Sequence, residues 1–136
     1  MKRFIFLMLA GLPFNTFAHT LDGVLDTPVS TVNYYYVDCG SDPDTVSLYF
    51  HIVNNSAVGA PLVSAQVIKG NYVGNFTDPI NGDAGWSRDQ VIPGGNGLYS
   101  VLVDKNGSGI VSYEFEAHCY DSLGEHTDGE EILPIN

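Results

Sequence analysis

The chain has 136 residues, of which 16 are acidic and only five are basic, and its formal net charge is −11 at pH 7. That length suits one domain with a hydrophobic core of its own. So negative a surface repels the phosphates of nucleic acids and of anionic lipids, which argues against both as partners.

The first 18 residues have the plan of a secretory signal peptide rather than of folded structure. A basic start at residues 1–3 precedes a short apolar run, and Ala18 is a small residue at which cleavage is expected. A membrane anchor would need about 20 apolar residues, and Pro13 interrupts the run before that length. We therefore expect a secreted or periplasmic protein that is not inserted in a membrane once the signal is removed. Its mature chain, residues 19–136, would carry a net charge of −13, because three basic residues remain against 16 acidic ones.

Strand patterns follow one another along the mature chain, and no segment has helical periodicity over ten or more residues. Strands are predicted at residues 19–25, 31–39, 45–53 and 62–69, with shorter ones at 72–73 and 90–92. Alternation in residues 45–53 places Val46, Leu48, Phe50 and Ile52 on one face. A polar loop that contains Trp86 separates the two short strands.

The clearest pattern is a hairpin in residues 94–119. Apolar side chains alternate with polar ones in both halves, and an Asn-Gly turn at Asn106-Gly107 lies between them. In the second half, Glu114, Glu116 and His118 share the polar face. The predicted core comprises Val37, Leu48, Phe50, Ile52, Val101, Val103, Tyr113 and Phe115.

These patterns predict an all-β fold, an antiparallel β-sandwich or jelly-roll-like domain over residues 19–120. An acidic tail, residues 121–136, follows and is expected to be loose apart from Ile132-Leu133. Cys39 and Cys119 lie at the ends of two predicted strands, and an even pair in an oxidising compartment predicts one disulfide.

Three phrases of the chain resemble the pre-peptidase C-terminal type of domain, which accompanies many secreted bacterial proteases. They are Gly23-Val24-Leu25 followed by Tyr34-Tyr35-Tyr36-Val37, then Gly97-Leu98-Tyr99-Ser100-Val101-Leu102-Val103, and finally Tyr113-Glu114-Phe115. The resemblance implies a non-catalytic β-sandwich associated with secretion or with binding insoluble substrates.

Motifs of the common enzyme classes are missing from the chain. It has no G-x-S-x-G, no H-E-x-x-H and no phosphate loop with its lysine. Glu114 and Glu116 are near enough on one strand face for acid-base chemistry, but on so acidic a protein we interpret them as solvated charges. We therefore expect no catalysis.

Cleavage after Ala18 would make His19 the new N-terminus, where a free amine and an imidazole can chelate one metal ion. With a second histidine they would form the three-nitrogen copper site called a histidine brace, since tetragonal nitrogen ligation suits Cu(II). The candidate partners are His118 and His126, with His51 less favoured because it lies on another strand. Binding should depend on pH, because the amine and the imidazoles must first lose their protons.

Calcium is a less favoured cofactor. Candidate oxygen ligands are Asp42 and Asp44 in one turn and a set in the long loop, Asn75, Asp78, Asn81 and Asp83. Their spacing does not match an EF-hand loop, and Asp and Asn are ordinary turn formers.

Eight tyrosines offer a third kind of site. If Tyr35 faces inward with Val37, then Tyr34 and Tyr36 face outward, where they could stack on a carbohydrate or line a protein interface. The sequence therefore predicts first an exported, non-catalytic binding or accessory protein of unknown ligand. The alternative is a copper-binding protein that uses His19, and the third possibility is an enzyme without a recognisable motif.

Overall fold

Nine β-strands form the secondary structure in the computed structural model, which describes residues 19–83, 85–127 and 129–135. They are β1 (Thr20–Leu25), β2 (Asn33–Cys39), β3 (Thr45–Asn54), β4 (Val63–Lys69), β5 (Tyr72–Thr77), β6 (Gln90–Ile92), β7 (Leu98–Lys105), β8 (Val111–Asp121) and β9 (Glu130–Pro134). The predicted signal peptide lies outside the described residues. Within them, no helix is long and apolar enough to cross a membrane.

The strands form two antiparallel sheets. One has four strands in the order β1-β8-β3-β6, and the other has five in the order β5-β4-β7-β2-β9. Every pairing is antiparallel. The prediction of an all-β antiparallel sandwich is confirmed.

The core lies between the sheets and follows the predicted alternation. All eight predicted core residues are buried, and the Phe50 and Phe115 rings pack with their centroids 5.9 Å apart. The prediction that Val46 shares one face with Leu48, Phe50 and Ile52 is wrong, because Val46 is 42% exposed while the other three are buried. The register of β3 against β8 shifts between Thr45 and Ser47, so the extra residue turns outward.

The predicted disulfide is present. Cys39 of β2 and Cys119 of β8 are bonded, with their Cα atoms 5.8 Å apart, and both side chains are buried. Because these strands belong to different sheets, the bond joins the two layers of the sandwich.

The C-terminal segment differs from the predicted loose tail. β9 pairs with β2 from Cys39↔Glu130 to Tyr35↔Pro134, and Ile132 packs against the core. Just before β9, His126 forms a bridge to Tyr120 of β8. This segment therefore contacts both sheets at the end of the sandwich that carries the disulfide.

Candidate functional site

Two segments of the chain lie end to end along one edge of β8. The N–H of Ala117 donates to the carbonyl of His19, the residue just before β1, at 3.2 Å. Two residues further on, the carbonyl of Cys119 accepts from the N–H of Thr127 at 3.0 Å. The start of β1 and the segment around His126 therefore meet beside the middle of β8.

The side chain of Glu130 fills the gap between the two segments. Its Oε2 accepts a 2.7 Å hydrogen bond from the N–H of Cys119, a donor that a backbone carbonyl would satisfy in a continuous sheet. The side chain is 1% exposed, and the other oxygen, Oε1, finds no hydrogen-bond partner among the described residues. Because an unpaired buried carboxylate oxygen is costly, this atom points to a ligand.

Three imidazoles face this carboxylate, each through Nδ1. The Nδ1 atoms of His118 and His19 lie 3.7 Å and 3.9 Å from Oε1 of Glu130, and Nδ1 of His126 lies 3.9 Å from Oε2. These distances are too long for hydrogen bonds. Two donor atoms that each lie about 2.0–2.1 Å from one ion are about 3.3 Å apart at a tetrahedral angle and about 4.1 Å apart when opposite. The spacing therefore suits ligands of a single metal ion.

The ligand atoms of His118, His126 and Glu130 all lie within 4.8 Å of one another. The imidazoles of His118 and His126 are in edge contact, with centroids 4.6 Å apart, and His19 lies 6.1 Å from His118 by the same measure. Nδ1 of His118 is also buried, with no hydrogen-bond partner in the part of the chain that the structure covers. Two unsatisfied ligand atoms thus face each other across the same small space.

The electrostatics of the cluster favour the neutral form of two of its imidazoles, those of His19 and His126. Burial lowers the pKa of His19, and the neighbouring His118 and His126 lower it further. Burial and His118 likewise lower the pKa of His126. Burial raises the pKa of Glu130 to about 7, against the opposing effects of the Cys119 N–H and of His118. Neutral imidazoles are the form that binds a metal.

Glu116 lies behind His118 and differs from the solvated charge that we predicted. Its Oε1 is 2.5 Å from Nε2 of His118, and its Oε2 is 3.2 Å from Nε2 of His51. Although burial opposes ionisation, these two imidazoles outweigh it and lower the pKa of Glu116. Nδ1 of His51 in turn lies 2.8 Å from Oδ1 of Asp89. The prediction that Glu116 is merely solvated is therefore wrong.

Aromatic side chains surround Glu116 and His51. The Trp86 ring packs on His51 with centroids 4.3 Å apart, and Tyr49 contacts Tyr120 at 4.8 Å. A pocket of about 240 Å³ opens above Glu116. Its lining consists of Tyr49, Phe50, His51, Asp89, Glu116, His118 and Tyr120.

The structure thus brings together all three histidines that the sequence proposed as ligands, His19, His118 and His126. Sequence reasoning missed Glu130, whose buried carboxylate lies between them, and it undervalued His51. The apolar pair Ile132-Leu133 was the one signal that the acidic segment joins the fold.

The carboxylates proposed as calcium ligands accept hydrogen bonds from backbone N–H groups. Asp42 accepts from the N–H of Asp44, and Asp83 accepts from the N–H of Gly85. Asp78 is buried and accepts from the N–H groups of Asn54 and Ile80. The contacts to Asp44, Ile80 and Gly85 are those of turn-forming residues, whereas the contact to Asn54 ties the loop to β3.

The outward tyrosines lie on β2, in the sheet that does not contain β8. Tyr34 is 40% exposed while Tyr35 is buried, as the alternation predicts. The Tyr34 and Tyr36 rings are in edge contact, with centroids 6.1 Å apart.

Comparison of the chain with protein-family models, with curated proteins and with solved structures gave no match. The resemblance to pre-peptidase C-terminal domains therefore stays a prediction, and the function must be inferred from the site itself.

Proposed function

We propose that this protein is an exported, non-catalytic metal-binding domain that holds Cu(II) with His19, His118, His126 and Glu130. The observation that carries the proposal is the buried carboxylate of Glu130, whose free oxygen faces two imidazole nitrogens at 3.7 Å and 3.9 Å. A bound cation would satisfy that oxygen and would balance its charge. The proposal keeps the predicted binding role and identifies the bound species as Cu(II).

A cation fits this site better than an anion or a neutral ligand. The mature chain carries a net charge of −13, and the described lysines are engaged elsewhere. Lys105 is buried and donates to the carbonyls of Asp26, Thr27 and Gly109, and Lys69 donates to the carbonyl of Asn96. An ionised Glu130 gives the site a negative charge of its own, which favours a divalent ion.

The donor atoms favour Cu(II) among the divalent ions. From His19 onward the sequence has no methionine, and both cysteines are used in the disulfide. The donors are therefore imidazole nitrogens and a carboxylate oxygen, which suit Cu(II), Ni(II) and Zn(II) better than the softer Cu(I). Within the divalent series, affinity for such a site is highest for Cu(II), with Zn(II) as the main competitor.

The α-amine of His19 would add a further ligand if the signal peptide is cleaved after Ala18. An amine and an imidazole of one residue chelate an ion through Nδ1, the ring nitrogen nearer the backbone. Nδ1 is the nitrogen of His19 that faces Glu130. This orientation supports a histidine brace completed by His118 or His126. The disulfide supports the export on which the cleavage depends.

Copper titration of the correctly processed protein tests the proposal. A competing chelator should report tight binding of one Cu(II) per chain. Glu130→Gln keeps an oxygen that can accept from the Cys119 N–H but removes the charged ligand. Loss of a residue that hydrogen-bonds to a metal ligand lowers metal affinity about 10–100-fold. Loss of the ligand Glu130 itself should therefore lower Cu(II) affinity about 100-fold or more.

Glu131→Gln is the matched control, because it removes the same charge from the adjacent, exposed position. We expect it to bind Cu(II) like the unaltered protein. Equal affinity in Glu130→Gln and Glu131→Gln would refute the site. A form with one extra residue before His19 lacks the free α-amine of His19 but keeps every side chain. Equal Cu(II) affinity with and without the extra residue would show that the amine is not a ligand and would leave the side-chain site.

A further inference from the structure

We infer that Glu116 is a positioning residue that fixes the His118 imidazole for metal binding through Nδ1. The inference rests on the proposed function. It concerns Glu116, which is not itself a proposed ligand, and its effect on the ligand His118.

The two nitrogens of His118 face two different carboxylates. Nε2 lies 2.5 Å from Oε1 of Glu116, and Nδ1 lies 3.7 Å from Oε1 of Glu130. An ionised carboxylate only accepts hydrogen bonds, so the short contact requires the proton on Nε2. The lone pair of neutral His118 then lies on Nδ1 and faces the metal site. The hydrogen bond also makes the imidazole a stronger donor.

Strand geometry explains why Glu116 can do this. Glu116 and His118 are two residues apart on β8 and so project from the same face of the sheet. On the neighbouring strand, His51 is paired directly with Glu116, which brings the two side chains together at 3.2 Å. The geometry thus follows from register alone.

On its other side Glu116 faces His51, whose Nε2 is buried without a hydrogen-bond partner among the described residues. Nδ1 of His51 lies 2.8 Å from Oδ1 of Asp89. His51, like His118, therefore lies between two carboxylates. The Trp86 ring covers His51 at 4.3 Å and limits its rotation. In order from the surface, the chain of contacts is Asp89, His51, Glu116, His118 and Glu130.

Nitrogen NMR of the metal-free protein tests the tautomer directly. Long-range proton–nitrogen correlation spectra of ¹⁵N-labelled protein distinguish the protonated ring nitrogen from the free one. We expect His118 to carry its proton on Nε2 in the unaltered protein and in Glu114→Gln, and to show a weaker preference in Glu116→Gln, whose neutral amide is a weaker acceptor and can also donate. Glu114 is the matched control, because it is two residues away on the same face of β8. A proton on Nδ1 of His118 in the unaltered protein would overturn the inference.

Copper binding tests the consequence for the site. Glu116→Gln should lower Cu(II) affinity about 10–100-fold, as loss of such partners does, while Glu114→Gln should not change it. Pulsed EPR of the Cu(II) protein detects the remote nitrogen of a coordinated imidazole, whose quadrupole signal depends on its hydrogen bond. That signal should change in Glu116→Gln alone.

The two proposals fail in different ways. Cu(II) binding by the unaltered protein, together with unchanged affinity and an unchanged remote-nitrogen signal in Glu116→Gln, would refute the role of Glu116 only. Absence of Cu(II) binding by the unaltered protein would refute the proposed function, and with it the role of Glu116 in that function.

Discussion

Glu130 occupies a position where a neutral acceptor would suffice for folding. Its Oε2 satisfies the N–H of Cys119, yet its Oε1 is buried without a partner among residues 19–83, 85–127 and 129–135. A glutamine could make the same hydrogen bond without burying a charge. A residue that sacrifices stability in this way marks a functional site.

This contrast gives a prediction for the metal-free protein. With a chelator present and at about pH 8, where Glu130 is largely ionised, Glu130→Gln should be more stable than the unaltered protein. The gain should be about 1–3 kcal/mol, the cost of a buried polar group left unpaired. Urea unfolding measures the difference, and Glu131→Gln is the control. Destabilisation by Glu130→Gln would mean that the carboxylate has a structural role.

Tyr99 gives a pH prediction that is independent of any metal. Burial raises its pKa to about 12, although a backbone hydrogen bond at Gly94 acts in the opposite direction. The folded protein therefore holds this proton more tightly than the unfolded chain does, whose tyrosine pKa is about 10. The resulting contribution to stability is complete below about pH 10 and is lost as the pH rises towards 12.

Unfolding measurements between about pH 9 and 12 test this prediction, with Tyr99→Phe as the comparison. Tyr99→Phe should show a shallower loss of stability across that range. Tyr113, whose pKa is also raised by burial, remains in both proteins and so cancels in the comparison. Identical slopes would place the Tyr99 pKa near its ordinary value.

At the scale of elements, β8 organises both the core and the site. Its inward residues Tyr113, Phe115 and Cys119 are buried, while Glu116 and His118 on the other face belong to the proposed metal site and its surroundings. The sequence predicted this strand and both of its faces, because strict alternation is a local signal. It also proposed His118 and His126 as the partners of His19 in one metal site.

The C-terminal segment could not be predicted in the same way. Strand β9 has the apolar pair Ile132-Leu133 among acidic residues, so the periodicity is too short to indicate a strand. Its position depends on backbone pairing with β2, which leaves little signal in the side chains. Glu130 was missed for this reason, since only that pairing directs its side chain inward.

The core of β8 gives a stability prediction. Phe115 is fully buried and packs against Phe50. Phe115→Ala should lower the free energy of unfolding by about 3–5 kcal/mol, as other large-to-small core changes do. Chemical denaturation measures the change. Near-neutral behaviour would show that this face of β8 is not in the core.

For the whole molecule, the disulfide and the proposed metal site lie at the same end of the sandwich. Cys39 is paired with Glu130, and Cys119 donates to its side chain. The disulfide closes a loop between residues 80 apart and contributes up to about 4 kcal/mol by limiting the unfolded chain. It also holds in register the two strands between which the carboxylate lies.

A bound ion would join three distant parts of the chain, the start of β1, the middle of β8 and the segment before β9. Cu(II) should therefore raise the unfolding temperature, and a free concentration of about 1,000 times Kd adds about 4 kcal/mol of stability. Thermal unfolding with and without Cu(II) measures the shift. Glu130→Gln should lose most of it and Glu131→Gln none. An equal shift in both variants would indicate binding elsewhere on the acidic surface.

The ligand set is tested most directly by EPR of the mature protein, beginning at His19, with one equivalent of Cu(II). The spectrum should show nitrogen coupling from the imidazoles of His19, His118 and His126, and His126→Ala should lose one of these nitrogens. Coupling that is unchanged in His126→Ala, or a spectrum of Cu(II) coordinated by oxygen alone, would contradict the proposed site.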